Sequence, residues 1–343
     1  MDTRKKILIS IILPVYNVEK YLRPSLDSIM MQDTKDCEIL LINDGSTDNS
    51  LHILREYESI YPNIRVIDKK NEGVSATRNR GLEECTGEYF FFMDSDDRIH
   101  PQLLSILKKE IANFHSDIIV WDFATFYTQP KYAEIPTNLK VKTIVNKKEK
   151  AFNYLMLRGS AVSLCNKAIR RSLVSKSIRI DPTMTYGEDM FFCWKAILLA
   201  RCIRYIQVPL YYYLQSGKGA TNRFHPDLYE HYRQAFDDIH NFLVQHGLDS
   251  TETLASIDYH FACRIPALSR MEAKAPYSKN QKVKHLCHIL EDDYINRGLQ
   301  ENAQLNSQLY ILARNKKVEK MIKTAHFMEL KSKILFPLKK LLK

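Results

Sequence analysis

Four consecutive apolar residues, Phe90, Phe91, Phe92 and Met93, run straight into Asp94-Ser95-Asp96-Asp97. An unbroken apolar run of this length suits a strand buried on both faces of a parallel sheet. The carboxyl end of such a strand is where open α/β sheets bind their ligands. Side chains alternate along an extended chain, so Asp94 and Asp96 project to one side while Ser95 and Asp97 project to the other. Two carboxylates held together repel, and a divalent cation, a raised pKa or hydrogen-bond donors such as sugar hydroxyls relieve the repulsion. The tetrad also reads as a turn with a helix cap, Asp97 serving the helix after Pro101.

The rest of the first half repeats the pattern. Residues 7–13 form an apolar strand ended by Pro14, and Val18, Tyr21, Leu22, Leu26, Ile29 and Met30 then recur at helical spacing. Pro24 places the start of the regular helix there, with a looser turn before it. Strands follow at 38–43, 64–68 and 117–122, with helices to about residue 59, over 74–83 and after Pro101. Alternating strands and helices give βαβ units, hence a Rossmann-like, mostly parallel sheet flanked by helices. The clusters Tyr16-Asn17, Asp44-Gly45-Ser46, Asn71-Glu72-Gly73 and Asp94-Ser95-Asp96 each follow a strand, so they collect along one sheet edge. Periodicity weakens over 125–148, where Pro130 and Pro136 mark a surface insertion. Helix resumes at about 150–157, and residues 190–200 are apolar almost all round, as in a buried helix. From about Arg223 the pattern is helical without strand signals, so residues 1–222 read as the sheet domain and 223–343 as a helical C-terminal region.

Composition narrows the class. The 343 residues are 45% apolar with 10 glycines, which suits a globular protein rather than a disordered or glycine-rich chain. The seven cysteines form no Cys-x-x-Cys pair, which points to a reduced, cytoplasmic setting. No apolar run reaches the roughly 20 residues a spanning helix needs. The basic start before residue 7 lacks a small-residue cleavage site and reads as the lead into the first strand. Of the net charge of +10, residues 314–343 carry ten Lys/Arg against Glu319 and Glu329, a net of +8. A charge confined to a tail argues against a basic groove for nucleic acid. Within it Leu330, Ile334, Leu335, Leu338, Leu341 and Leu342 fall at spacings of three and four between lysines, and Pro337 kinks or splits the stripe. Such a segment suits the anionic inner face of a cell membrane, or docking on protein.

Five pieces in order resemble the family 2 glycosyltransferases of the GT-A fold that build bacterial surface polysaccharides: Ser10-Ile-Ile-Leu-Pro-Val-Tyr-Asn17, Leu41-Ile-Asn-Asp-Gly-Ser-Thr-Asp48, Asn71-Glu-Gly-Val-Ser-Ala-Thr-Arg-Asn-Arg-Gly81, Phe92-Met-Asp-Ser-Asp-Asp97 and Gly187-Glu-Asp189. The resemblance covers roughly residues 7–215. It implies sugar transfer from a nucleotide diphosphate donor, usually a UDP-sugar, with inversion, to a glycan or lipid-linked acceptor; processive synthases share the early motifs but carry spanning helices and a Gln-x-x-Arg-Trp segment that this sequence lacks, so addition of a single sugar is preferred. It also implies Mg²⁺ or Mn²⁺ on Asp96, with Asp94 on the ribose or metal; one or two carboxylates and the diphosphate oxygens suffice to hold such an ion. Asp44 resembles the acid that accepts from a uracil N3–H, with Tyr16 stacking and Pro14 and Val15 offering backbone contacts. Asn17, Asn71 and Ser95 stand in the same nucleotide-binding pieces, and Arg78 matches an arginine able to offer a fork to phosphate or ribose. Asp189 matches the base that takes the acceptor proton, with Glu188 second.

Two later pieces match less well. Cys165 stands before Asn166-Lys167 where the family has an aromatic, and Leu214 stands where Arg is common, leaving Lys218 to supply that charge. A dinucleotide oxidoreductase would want Gly-x-Gly-x-x-Gly after the first strand, and Pro14-Val-Tyr-Asn17 stands there instead. The glycine-rich basic loop of a nucleotidyltransferase is missing too. The remaining alternative is a catalytically degenerate nucleotide-sugar-binding partner or scaffold, and a homodimer stays open for either reading.

Overall fold

The computed structural model describes residues 6–174, 178–184, 187–215, 224–301, 305 and 307–342. The chain divides into two compact units, Met1–Met184 with Glu188–Gln215, and Thr185–Gly187 with Ser216–Lys343.

The first unit is built on β1 (Ile9–Val15), β2 (Cys37–Asp44), β3 (Ile64–Lys69) and β4 (Tyr89–Phe92), interleaved with α1 (Glu19–Met30), α2 (Ser50–Ile60) and α3 (Val74–Glu84). Their order across the sheet is β3-β2-β1-β4, all parallel. Every residue of β4 is buried, as are nearly all of β1 and β2, as the unbroken apolar runs require. Each fully buried Phe or Ile contributes about 1.5–3 kcal/mol. Gly81 lets α3 approach this sheet closely, since a Cβ there would overlap the Ile12 side chain. Pro24 lies inside α1 rather than at its start. The buried face of Leu22, Leu26 and Ile29 outweighs the one hydrogen bond the proline removes. Pro14 likewise does not end β1 but pairs in register with Ile42.

Beyond β4 the sheet is mixed. It continues through β5 (Arg98–Ile99), α4 (Leu103–Phe114), β6 (Ile118–Phe126), β7 (Val141–Val145), α5 (Lys148–Leu157), β8 (Lys167–Arg170), α6 (Glu188–Leu199) and β9 (Cys202–Leu214). β8 inserts antiparallel between β4 and β6, β9 runs parallel to β6, and β5 and β7 pair antiparallel with β9. Parallel pairing therefore covers β3-β2-β1-β4 and β6-β9, and the remaining pairs are antiparallel. The weakly periodic stretch 125–148 is not all insertion, because β6 extends into it and β7 lies within it.

The second unit is helical: α7 (Leu228–Gln245), α8 (Thr251–Ala262), α9 (Ile265–Lys274), α10 (Lys279–Leu290), α11 (Asp293–Glu301), α12 (Gln308–Arg314) and α13 (Val318–Leu342). The backbones of α8 and α11 meet at Gly298, where a Cβ would overlap the Asp258 carbonyl. The basic tail is not one free segment. Val318, Met321 and Ala325 of α13 are buried, while Phe327, Met328 and Leu330 are exposed. The helix runs on through Pro337 without being split. Among the described residues no helix is long and apolar enough to cross a membrane.

Candidate active site

The strand ends place their turns side by side. Asn17, with φ of 51°, leaves β1 in the left-handed region and accepts hydrogen bonds from the Thr47 and Asp48 N–H groups (2.8 and 3.4 Å). It braces the turn after β2, while neighbouring Tyr16 stays half exposed. Gly45 also takes positive φ and leaves no room for a side chain, because a Cβ would lie 2.8 Å from the Asn71 backbone nitrogen. Asp44 is buried at the end of β2 and accepts from Lys69 Nζ and from the N–H groups of Glu72 and Gly73, both at 2.9 Å. Burial opposes its ionisation, but Lys69 and the Glu72 N–H together hold its carboxyl below the usual range. Lys69 is a partner the sequence concealed, although it stands in register with Asp44 across β2 and β3.

The acidic turn after β4 is held from two sides. Asp94 Oδ1 accepts from Arg78 Nη2 at 3.0 Å, and its Oδ2 lies 3.4 Å from the Cys165 thiol. Asp96 forms no ion pair among the described residues, and Arg98 spends its Nη1 on the carbonyls of Asp96 and Asp97. Burial first, and then the Asp94 charge, push the Asp96 carboxyl up to about 6. Ser95 is buried.

Asp97 corrects the sequence reading. It does not cap α4, whose N-cap is Gln102 with no side-chain cap. It is fully buried and turned to β9, accepting from the Tyr211 hydroxyl (2.6 Å) and the Leu214 N–H (2.7 Å). The Tyr211 oxygen accepts in turn from the Asp94 N–H at 3.1 Å. Burial, reinforced by Asp94 and Asp96, holds the Asp97 proton far above its ordinary range.

Arg78 and Asp94 meet the start of α6. Arg78 Nη1 lies 3.1 Å from Glu188 Oε1, so one buried guanidinium joins acids 110 and 16 residues away. Burial works against the arginine charge, yet Asp94 and Glu188 outweigh it and raise its pKa. Glu188 is pushed up to about 7 by burial and by the charge of Asp189, and Asp189 is raised by burial against the pull of Arg78. Among the described residues no set of three or more His, Cys, Asp or Glu is grouped to hold a metal.

Residues 10–177 match the glycosyl transferase family 2 profile. These residues carry a glycosyl transferase family 2 domain. The glycosyltransferase EpsH of Bacillus subtilis is 29% identical over 65% of this chain, and GlyA of Streptococcus pneumoniae 33% identical over 65%. The matched stretch spans 65% of the first relative and 32% of the second. In fold, the chain is similar to S. aureus TarS 1-349 solved with UDP-GlcNAc, with a TM-score of 0.68, 21% identity and 95% and 92% of the two chains covered. That likeness establishes a GT-A-like mixed sheet with a helical C-terminal region.

Not every piece of the chain's sequence signature reaches the turns. Lys167 is fully buried and donates to Asn166 Oδ1 (2.7 Å) and the Ser163 carbonyl, and Asn166 donates to the Trp121 carbonyl (3.0 Å). Asn166 and Lys167 therefore brace β8 against β6. Asn71 is exposed, and Pro14 and Val15 lie within β1. Lys218 lies outside the described residues. Tyr211 opens the Tyr211-Tyr212-Tyr213-Leu214 piece that resembles a loop closing over the diphosphate, and along that run only alternate rings can face the acids.

Proposed function

We propose that this transferase moves a single sugar, with inversion, from a UDP-sugar to a hydroxyl of a glycan or lipid-linked acceptor in capsule, surface-polysaccharide or lipooligosaccharide synthesis. The observation that carries the reading is that Arg78 bonds one acid from each of two pairs, Asp94, beside Asp96 at the end of β4, and Glu188, beside Asp189 at the start of α6. One pair suits a leaving diphosphate, the other an incoming hydroxyl.

On the donor side, Asp44 lies at the floor of the β1 and β2 turns, with the exposed ring of Tyr16 free to stack on a base. Pro14, Val15, Asn17, Asn71 and Ser95 complete the nucleotide cradle in this reading. The acids also fit a divalent cation: Asp96 is partly buried beside another carboxylate and has no ion-pair partner among the described residues. Asp96 and Asp94 would hold it. Bound there, Mg²⁺ or Mn²⁺ supplies positive charge against the charge growing on the leaving diphosphate.

On the acceptor side, Asp189 takes the proton of the attacking hydroxyl. Burial raises its proton affinity, which suits a general base working near neutral pH. Glu188 stands beside it, held by Arg78. The lysines from Lys331 onward and the exposed Phe327, Met328 and Leu330 favour the cytoplasmic face of an anionic bilayer, where a lipid-linked acceptor would be presented.

The test is a panel of nucleotide sugars with Mg²⁺ or Mn²⁺, read as UDP release with and without candidate acceptors. Release from one uridine donor is expected. Binding without release under every condition would favour the degenerate scaffold, and no binding of any uridine nucleotide would overturn the donor reading.

A further inference from the structure

The family pattern offers Arg78 to the nucleotide, but the geometry points to a different use, one that rests on the transfer reading above. We infer that Arg78 is a positioning residue, a clamp that fixes the donor-side acid Asp94 and the acceptor-side acid Glu188 relative to each other.

Both terminal nitrogens of Arg78 are committed, Nη2 to Asp94 Oδ1 at 3.0 Å and Nη1 to Glu188 Oε1 at 3.1 Å. The side chain is 9% exposed, and Nε is buried without a hydrogen-bond partner. The guanidinium is nearly closed to solvent, and both of its ion pairs among the described residues go to these two acids.

The three residues come from different elements. Arg78 projects from the first turns of α3, Asp94 follows β4, and Glu188 opens α6. α3 is itself fixed against β1 and β2, where Gly81 packs on Ile12 and Ile42. The clamp thus refers both acids to the buried parallel strands β1 and β2, and Asp189, next to Glu188, inherits that placement. Asp94 is held additionally by Cys165 and, through its N–H, by Tyr211, whereas Arg78 is the only side chain in ion-pair contact with Glu188 among the described residues. Loss of the clamp therefore frees the acceptor side first.

Planarity matters here. A guanidinium can present two N–H groups to two separate carboxylates, and an ammonium is a point charge that favours one of them. Arg78→Lys keeps the buried charge while losing the bridge. Since a displacement of about 1 Å costs on the order of 10²-fold in rate, the variant is expected to lose about 100-fold in turnover. Its UDP affinity should stay within about 3-fold of wild type, a change near 0.6 kcal/mol at most. A nucleotide-contacting arginine would lose both.

The experiment compares Arg78→Lys with wild type for UDP binding by calorimetry and for turnover, and adds free guanidinium to Arg78→Ala. Retained UDP binding with depressed turnover, partly restored by guanidinium, supports the clamp. Wild-type turnover, or a parallel fall in UDP affinity, overturns it. Should Arg78→Lys not fold, Glu188→Gln serves as the second variant. Unchanged UDP affinity, reduced turnover and a pH profile of unchanged shape support the clamp, and loss of a limb of that profile overturns it in favour of Glu188 as the base. If wild type binds no uridine nucleotide, the donor reading fails by itself. The clamp is then judged on the unfolding cycle of Glu188→Gln and Arg78→Lys, where coupled losses support it and additive losses refute it.

Discussion

Replacing Asp97 by alanine strands two donors in the interior at once. The carboxylate is fully buried and accepts from the Tyr211 hydroxyl at 2.6 Å and the Leu214 N–H at 2.7 Å. Each buried polar group left without a partner costs about 1–3 kcal/mol, so the two together give about 2–6 kcal/mol. Against this, the variant removes a carboxyl that burial and the neighbouring Asp94 and Asp96 disfavour as an ion. The offset places the net loss in the lower part of that range, about 2–4 kcal/mol. Asp97→Asn keeps an acceptor for Leu214 but faces the Tyr211 hydroxyl with a donor, so it should cost about half as much, about 1–2 kcal/mol. Urea unfolding followed by tryptophan fluorescence is the assay. The only two tryptophans, Trp121 and Trp194, are both fully buried in the sheet-containing unit, so the signal reports that unit alone. An alanine variant within about 0.5 kcal/mol of wild type would refute the reasoning, as would an asparagine variant as costly as the alanine one.

Asp96→Ala should abolish transfer and divalent-cation dependence while the urea midpoint hardly moves; full wild-type activity in excess chelator would remove the metal role. Asp189→Asn should lower transfer by about 10²–10⁴-fold, the range of general-base catalysis, with UDP affinity unchanged, and equal losses in both would move the residue to the donor side. Glu188 is raised to about 7 in the folded protein, so over the window from the ordinary carboxyl range to about 7 the native state holds a proton the unfolded chain has released. Its contribution to stability therefore falls as pH rises through that window. His100 and His260, whose pKa values are lowered chiefly by burial, act in the opposite direction, so the quantity to measure is wild type minus Glu188→Gln. That difference should decline from pH 5 to 8, and a flat or rising one contradicts the assignment. For the tail, truncation should follow Leu330 rather than Arg314, because Val318, Met321 and Ala325 belong to the core of the helical unit. The full chain should co-sediment with anionic vesicles at low salt and be released by added salt, while the shortened chain should stay in solution. Sedimentation unchanged by the truncation would exclude a lipid role for these lysines.

Much of this protein was legible before folding. The apolar residues of 7–13, broken only by Ser10, and the unbroken runs 39–42 and 90–93 specify doubly buried parallel strands, since only a strand covered on both faces can bury nearly every side chain. The polar cluster after each run then has to fall on one edge, and that is topology rather than packing. So the acids Asp44, Asp94 and Asp96 could be grouped from order alone. β8 escaped detection because four residues, Lys167–Arg170, carry too little periodicity. β9 escaped because its partners come from β5, β6 and β7, pairings that no local window contains.

What only the tertiary structure decided is which polar groups meet. Arg78, a fork for phosphate or ribose in the sequence reading, lies between Asp94 and Glu188, contacts that only the meeting of α3 and α6 provides. Asp97 read as a helix cap until β9 arrived with Tyr211 and Leu214. Local sequence reports whether a residue sits on a strand, a turn or a helix face, because those states depend on neighbours a few positions away. The partner of a buried charge depends on which distant segment closes over it. Desolvation then makes that partner obligatory.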